Sequence, residues 1–199
     1  MFVFFATFYT SESPDNPGEE EIQQWVRAAR VGNARAARRL YDVHVARVFR
    51  AVRGLCDSEA EAEDVTQDTF IDALGHLNRY APEKGKPFML WLVTLALNRA
   101  RKRRRRTGRE KATDDEQLHA ALEEKPGGLN EEALIRRRTL LTLLATLPER
   151  DRRVVSLYFG AELSADEVAQ TVGTSAANVR KICERQTANL RAQWKGSEP

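Results

Sequence analysis

EAEDVTQDTFIDALGHLNRYAPEKGKPFMLWLVTLALNRARKRRRR, residues 61–106, decides the fold. Ala62, Val65, Thr69 or Phe70, Ala73 and Leu77 recur at spacings of three and four, the signature of one buried helix face. Asp64, Asp68 and Asp72 stack one turn apart on another face. Like charges at i,i+4 repel by a few tenths of a kcal/mol per pair, so this stripe does not help the isolated helix. It suits a basic partner, or else is a solvated face. A Pro, Gly and Lys loop follows, and then a second helix is expected over roughly 88–105, with Phe88, Trp91, Leu92, Leu95 and Ala96 on its packing face. From Arg99 to Lys111 the chain carries nine Lys or Arg and one Glu. Crowding so much positive charge raises the self-energy of the chain. Phosphate backbones relieve it most fully, because each contact also releases counterions.

Towards the N-terminus, residues 21–56 supply apolar faces for one or two helices through Trp25, Val26, Ala29, Ala37, Leu40, Tyr41, Val45, Val48, Phe49 and Val52, with a break expected at Gly32 and Asn33. They should build a core against Val65, Phe70, Trp91 and Leu95. Trp91 has two readings: a packing residue, as Leu92 and Leu95 beside it favour, or a ring that stacks on an unpaired base. Asp57 and Ser58 offer a cap for the acidic helix. The opening run MFVFFATF lacks a basic flank and is too short to span a bilayer. The chain has 199 residues and a net charge of +3, so its information lies in segregated blocks of charge rather than in the total.

Residues 107–130 read as a linker, with the breaker run Lys125, Pro126, Gly127, Gly128 and mostly acidic charge after Ala112. Cys56 and Cys183 are far apart in sequence, and His44, His76 and His119 are isolated. No metal spacing, Gly-rich phosphate loop or nucleophile elbow is present, so no cofactor is expected.

Beyond the linker, Leu134, Leu140, Leu141, Leu144 and Leu147 form an apolar stripe that Pro148 closes. A second helix is expected over 151–159, its apolar pattern weak. Then Ser164 and Glu167 form a capping box, Val168, Ala169 and Val172 line a short helix, Gly173 permits a turn, and Thr174 or Ser175 caps a helix that buries Val179 and Ile182. This is a helix-turn-helix whose second helix suits the major groove. Its exposed side should present Ser175, Ala177, Asn178, Arg180, Lys181, Glu184 and Arg185. Arg bonds bidentately to guanine and Asn to adenine, yet Arg180 and Lys181 serve equally as phosphate clamps.

Ala62 to Phe70 (AEDVTQDTF), Trp91-Leu92, Asn98-Arg99 and the C-terminal helix-turn-helix together resemble an RNA polymerase sigma factor of the extracytoplasmic-function type, in the sigma-70 family. The resemblance implies an all-α protein of two small helical domains joined by a flexible linker. Its expected boundaries are an N-terminal extension over 1–20, a polymerase-clamp and minus-10 domain over 21–106, a linker over 107–130 and a minus-35 domain over 131–195. Asp64, Gln67 and Asp68 would dock on the clamp helices of the largest polymerase subunit, with Phe70 and Leu74 in the core. His76, Asn78, Lys84, Lys86, Asn98, Arg99, Arg101, Lys102 and Arg103 would hold minus-10 DNA. Ser175, Ala177, Asn178, Arg180, Lys181 and Arg185 would hold the minus-35 element, while that domain also meets the flap of the second-largest subunit. An anti-sigma factor is an expected partner and the cytoplasm the expected location, with neither a small-molecule substrate nor stable membrane insertion. Arg185-Gln186-Thr187-Ala188 departs from the Arg-Ala-Arg-type run common in the family, which implies one phosphate contact fewer.

Two competing readings fit less of the chain. A helix-turn-helix regulator acting without polymerase leaves the acidic helix and the basic run without roles. A metal-dependent nuclease built on Asp64, Asp68 and Asp72 lacks ligands converging from other segments.

Overall fold

The computed structural model describes residues 17–82, 85–111 and 131–195, and those residues are helical apart from turns and short connections. The N-terminal unit comprises α1 (Glu19–Arg30), α2 (Ala34–Arg53), α3 (Glu59–Gly75) and α4 (Phe88–Lys111), with a 3-10 turn at Leu77–Arg79. The C-terminal unit comprises α5 (Glu131–Ala145), α6 (Glu149–Val155), α7 (Ala165–Val172) and α8 (Ala176–Lys195), with a π turn at Ser156–Gly160. The expected break between α1 and α2 is present: Gly32 adopts φ 89° and the Asn33 side chain accepts from Ala36 N. Ser58 caps α3 by accepting from Glu61 N, while the Glu61 carboxylate accepts from Asp57 N.

Leu40, Val48, Val52, Val65, Phe88, Leu92 and Val93 form the centre of the first unit. Ala62, Thr69, Phe70, Ala73 and Leu77 are buried as their spacing predicts, and Leu74 is only partly so. The buried hydroxyls of Thr66 and Thr69 donate to the carbonyls of Ala62 and Val65 one turn back, so neither lacks a partner. Trp91 is a packing residue: its ring lies 5.4 Å from that of Tyr80 and 5.5 Å from that of Phe88. Tyr80 stakes the loop before α4. Its hydroxyl donates to Lys86 O, and the Arg30 guanidinium bonds the carbonyls of Leu77 and Tyr80.

In the second unit Leu140, Leu144 and Leu147 are buried as expected, joined by Leu143, while Leu134 and Leu141 are only half-buried. The single helix expected over 151–159 is instead α6 running into the π turn. There Ala161 N donates to Ser156 O five residues back. A π turn inserts one residue into the helical period, which is why the apolar pattern of 154–160 is weak at 3.6 per turn.

The two units are packed together through one continuous core, an arrangement that the linker alone does not announce. Val154, Leu157, Ala161 and Leu163 share that core with Val48 and Ala51 of α2. The π turn lies so close to α2 that a Cβ on Gly160 would sit 2.8 Å from the Arg50 carbonyl oxygen. Arg50 Nε donates to Gly160 O and its Nη2 meets the Glu162 carboxylate at 2.5 Å, while Arg47 Nε donates to Ala161 O. Two arginines of the first unit thus satisfy carbonyls at the end of a helix in the second, where positive charge is favoured. Arg137 with Glu59, and Arg104 with Glu149, add ion pairs across the same seam.

Candidate functional site

The outer face of α3 is the first candidate surface. At about 100° per residue, Asp64, Gln67, Asp68 and Ile71 project on the side away from Ala62, Val65 and Ala73. All four are exposed, and Ile71 at 73% is one of few large exposed apolar residues among those described. Sequence reasoning named the three polar positions and missed Ile71. Its place seven residues after Asp64, two turns along the same face, was the available signal.

The acidic stripe is already paired within the chain, so it is not the unpartnered row of carboxylates that the spacing alone describes. Arg103 Nη2 lies 2.6 Å from Asp64 Oδ2, and Arg99 lies 3.0 Å from Asp72 Oδ2 and 4.0 Å from Asp68 Oδ2. His76 Nδ1 lies 3.0 Å from the other Asp72 oxygen. Partial desolvation pushes the Asp72 carboxyl up, but the Arg99 hydrogen bond and charge, with His76 and Arg79, hold it below its ordinary range. The repulsion along α3 is therefore offset by two arginines one helix away.

Those pairs divide the basic run of α4. Asn98, Arg101, Lys102 and Arg105 are exposed on the outward side of the helix. Arg99 and Arg103 sit on the flank facing α3, and Arg104 on the opposite flank reaches Glu149 at 3.6 Å. Of the loop residues, His76, Asn78 and Lys86 are exposed, while Lys84 lies outside the described residues. Side chains beyond Arg105 lie outside them as well.

The helix-turn-helix is formed by α7 and α8. The Ser164 and Glu167 capping box is complete in both directions, and Gly173 adopts φ 70°. Ser175, not Thr174, caps the backbone of α8: its Oγ accepts from Asn178 N, while Thr174 Oγ1 accepts from the Asn178 side chain. Val179, Ile182 and Cys183 are buried beneath, leaving Ala177, Arg180, Lys181, Glu184 and Arg185 exposed. Asn178 and Arg185 are thereby partly committed to the protein. Arg185 Nη2 donates to Asp151 Oδ2 at 2.6 Å, and Gln186, buried, donates to the same oxygen. The departure at Gln186 thus has a structural use: a neutral amide holds the Asp151 carboxylate that anchors α8 to α6. Lys181 has no such tie, and Arg180 only a 4.0 Å approach to Asp166.

Among the described residues no group of three or more His, Cys, Asp or Glu converges on a metal position, and no helix is long and apolar enough to cross a membrane. Asp64 and Asp72 meet arginines instead of one another. Cys56 and Cys183 are free, and burial pushes their thiols up to about 12 and about 11, which leaves little thiolate.

An all-helical pair of units, one carrying a basic helix and the other a helix-turn-helix, defines a DNA-binding transcription protein. Residues 40–110 match the model of Sigma-70 region 2, and residues 143–192 that of Sigma-70, region 4. The sigma factor CnrH of Cupriavidus metallidurans is 31% identical over 81% of this chain and 87% of its own. The chain belongs to the sigma-70 family of RNA polymerase sigma factors. It is also similar to the ECF sigma factor SigD of Mycobacterium tuberculosis, 28% identical over 95% of this chain and 91% of that one. The ECF sigma factor BldN of Streptomyces coelicolor is 29% identical over 85% of this chain, which spans 64% of BldN. The fold matches CnrH solved in complex with the cytosolic domain of CnrY, at TM-score 0.63 and 26% identity, covering 88% of this chain and 98% of that one.

Proposed function

We infer that this chain binds core RNA polymerase through α3, opens and holds minus-10 DNA along α4 and its preceding loop, and reads the minus-35 element with α8. One observation carries this reading. The two segments matching promoter-recognition regions each leave a polar face uncovered, α3 and α4 in one and α8 in the other, although the rest of both is packed. The domains we propose are 21–106 and 131–195 with 107–130 between them, although α1 begins at Glu19 and the helix of α4 continues through 107–111, which leaves 112–130 as the connection.

On α3, Ile71 serves as an apolar anchor ringed by Asp64, Gln67 and Asp68, the arrangement of a binding hot spot. On α4 the outward Asn98, Arg101, Lys102 and Arg105 form a positive track for a single strand, bordered by His76, Asn78 and Lys86. On α8, Lys181 acts as a phosphate clamp, and Ala177 with Arg180 approaches base edges. Such a protein is a non-catalytic initiation factor working in the cytoplasm, where its polymerase is.

Minus-10 and minus-35 elements lie about 25 base pairs apart, roughly 85 Å along B-form DNA. A compact chain of this size is only about 40 Å across. Simultaneous reading therefore requires the α2 and π-turn seam to part, and the 19 residues of 112–130, counted from the sequence, reach about 65 Å when extended. An anti-sigma protein that holds the seam closed would restrain such a factor, and the CnrH structure is itself of a complex with CnrY.

The reading is tested by replacing Asp64 and Asp68 with Arg and measuring association with core polymerase. The double variant should lose core binding and promoter-dependent transcription while keeping its helical circular dichroism, because exposed substitutions cost less than about 0.5 kcal/mol. Unchanged core affinity would refute the assignment of α3.

A further inference from the structure

We propose that Arg99 and Arg103 are shared between two anionic partners, the α3 carboxylates and the phosphates of the captured strand, so that polymerase docking and strand capture assist one another. The proposal rests on the assignment of α3 to polymerase and α4 to DNA. It goes beyond that assignment by linking the two sites through particular side chains.

The geometry carries it. Arg99 and Arg103 are one turn apart on α4 and face the stripe of Asp64, Asp68 and Asp72, with which they make the contacts at 2.6, 3.0 and 4.0 Å. Neither arginine is locked in the interior: their side chains are 33% and 41% exposed. About 100° of rotation around α4 separates Arg99 from Asn98, and the same angle separates Arg103 from Lys102. The two arginines thus border the outward track. A change of rotamer, with no backbone movement, carries a long guanidinium stem from a carboxylate across α3 to a phosphate lying along Asn98 and Lys102.

Asp64 and Asp68 are also the carboxylates offered to polymerase. A basic surface arriving on α3 competes with Arg99 and Arg103 for them, and the displaced guanidinium groups then face the track. Conversely, phosphates that draw the arginines away leave Asp64 and Asp68 uncompensated and more attractive to polymerase. Linkage requires the two effects to be equal in size. The tie also weakens non-productive binding: a free chain keeps part of its positive track occupied by its own acids. The same pairs offset the i,i+4 repulsion that α3 bears in isolation.

The test compares neighbouring charges. Asp64→Asn and Glu63→Gln each remove one negative charge from adjacent exposed positions of α3, but only Asp64 faces Arg103. Binding of the full chain to a short fluorescein-labelled single strand of mixed sequence is followed by anisotropy at low salt. Asp64→Asn should tighten binding about 1.5- to 5-fold more than Glu63→Gln does, the range expected for an exposed ion pair. The excess should vanish in an Arg103→Gln background and shrink as salt is added. On the polymerase side, Arg103→Gln should raise core affinity by a similar factor.

Equal effects of Asp64→Asn and Glu63→Gln on the strand, with core affinity still lowered by Asp64→Asn, would overturn the sharing and leave the assignment of α3 intact. An excess that persists without Arg103 would overturn it too. If Asp64→Asn leaves core affinity unchanged, the assignment of α3 is what fails.

Discussion

Gly160→Val tests whether the closed packing of the two units is a true interface. A Cβ at this position would lie 2.8 Å from the Arg50 carbonyl oxygen, 3.0 Å from its carbon and 3.3 Å from Ala51 N. These are backbone atoms in the last turn of α2, so no side chain can step aside. Relief to ordinary contact near 3.4 Å requires a shift of about 0.6 Å at the closest pair. Overpacking of this kind costs about 1 to 3 kcal/mol if the seam stays shut, and valine exceeds alanine. The seam need not stay shut, because the units can part instead. The measured loss is then whichever is smaller, the overpacking strain or the free energy of the interface. The two cases separate by shape: small-angle scattering should show a larger radius of gyration if the units part, whereas thermal unfolding should shift with unchanged radius if they remain joined. Parting also leaves Arg47 and Arg50 to bond water in place of Gly160, Ala161 and Glu162. A variant with wild-type radius and melting temperature would refute the close approach.

Three further expectations follow from single side chains. Burial, with Arg47 nearby, lowers the His44 pKa to about 4, while its Nδ1 donates to Leu40 O. The folded state therefore takes up its proton later than the unfolded state, whose His titrates near 6.5. Stability is fully present above about pH 6.5, falls by about 3 kcal/mol between there and pH 4, and levels off below. Denaturant titrations across that window should show a slope that His44→Leu abolishes. Ile71→Ala should leave the unfolding midpoint nearly unchanged, because the side chain is exposed, yet weaken core polymerase binding at least fivefold if it anchors the interface. Lys181→Ala should weaken all minus-35 sequences alike and lower the salt slope by about one, whereas Arg180→Ala should narrow discrimination by about 1 to 3 kcal/mol. A promoter library assayed at several salt concentrations distinguishes these outcomes.

The helices and their ends were legible because their signals are local. Asn33, Ser58, Ser164, Gly173 and Ser175 act on backbone groups within four residues of themselves, and the burial of Val65, Phe88 and Val179 follows from spacing alone. The polar surfaces on α3 and α8 were legible for the same reason, since an exposed face is what periodicity leaves over. What failed to show was long-range. Nothing near Gly160 in the sequence announces that α2 will pass within contact distance, and the π turn that brings it there erases the 3.6-residue period used to find helices. The helix-breaking register looked like a weak helix. Nor does the sequence around Asp64 say that Arg103, 39 positions away, will meet it.

The basic run of α4 shows why counting charge is a different operation from locating it. Residues 99–105 are almost uniformly positive in sequence, which argues for one nucleic-acid surface. Wrapped on a helix, the same residues face three directions: Arg99 and Arg103 to the acids of α3, Arg104 to Glu149 across the seam, and Arg101, Lys102 and Arg105 outward. A straight helix cannot present consecutive residues to one flat partner, because successive side chains diverge by about 100°. Uniform charge therefore does not define a single face. It ensures that each neighbour on the three polar sides of α4, an acidic helix, the second unit or a phosphate strand, meets a guanidinium. On the proposed reading, parting of the seam breaks the Arg104–Glu149 pair, and docking on α3 breaks the pairs of Arg99 and Arg103 with its carboxylates. On that same reading, the positive track is widest in the polymerase-bound, opened form of the chain.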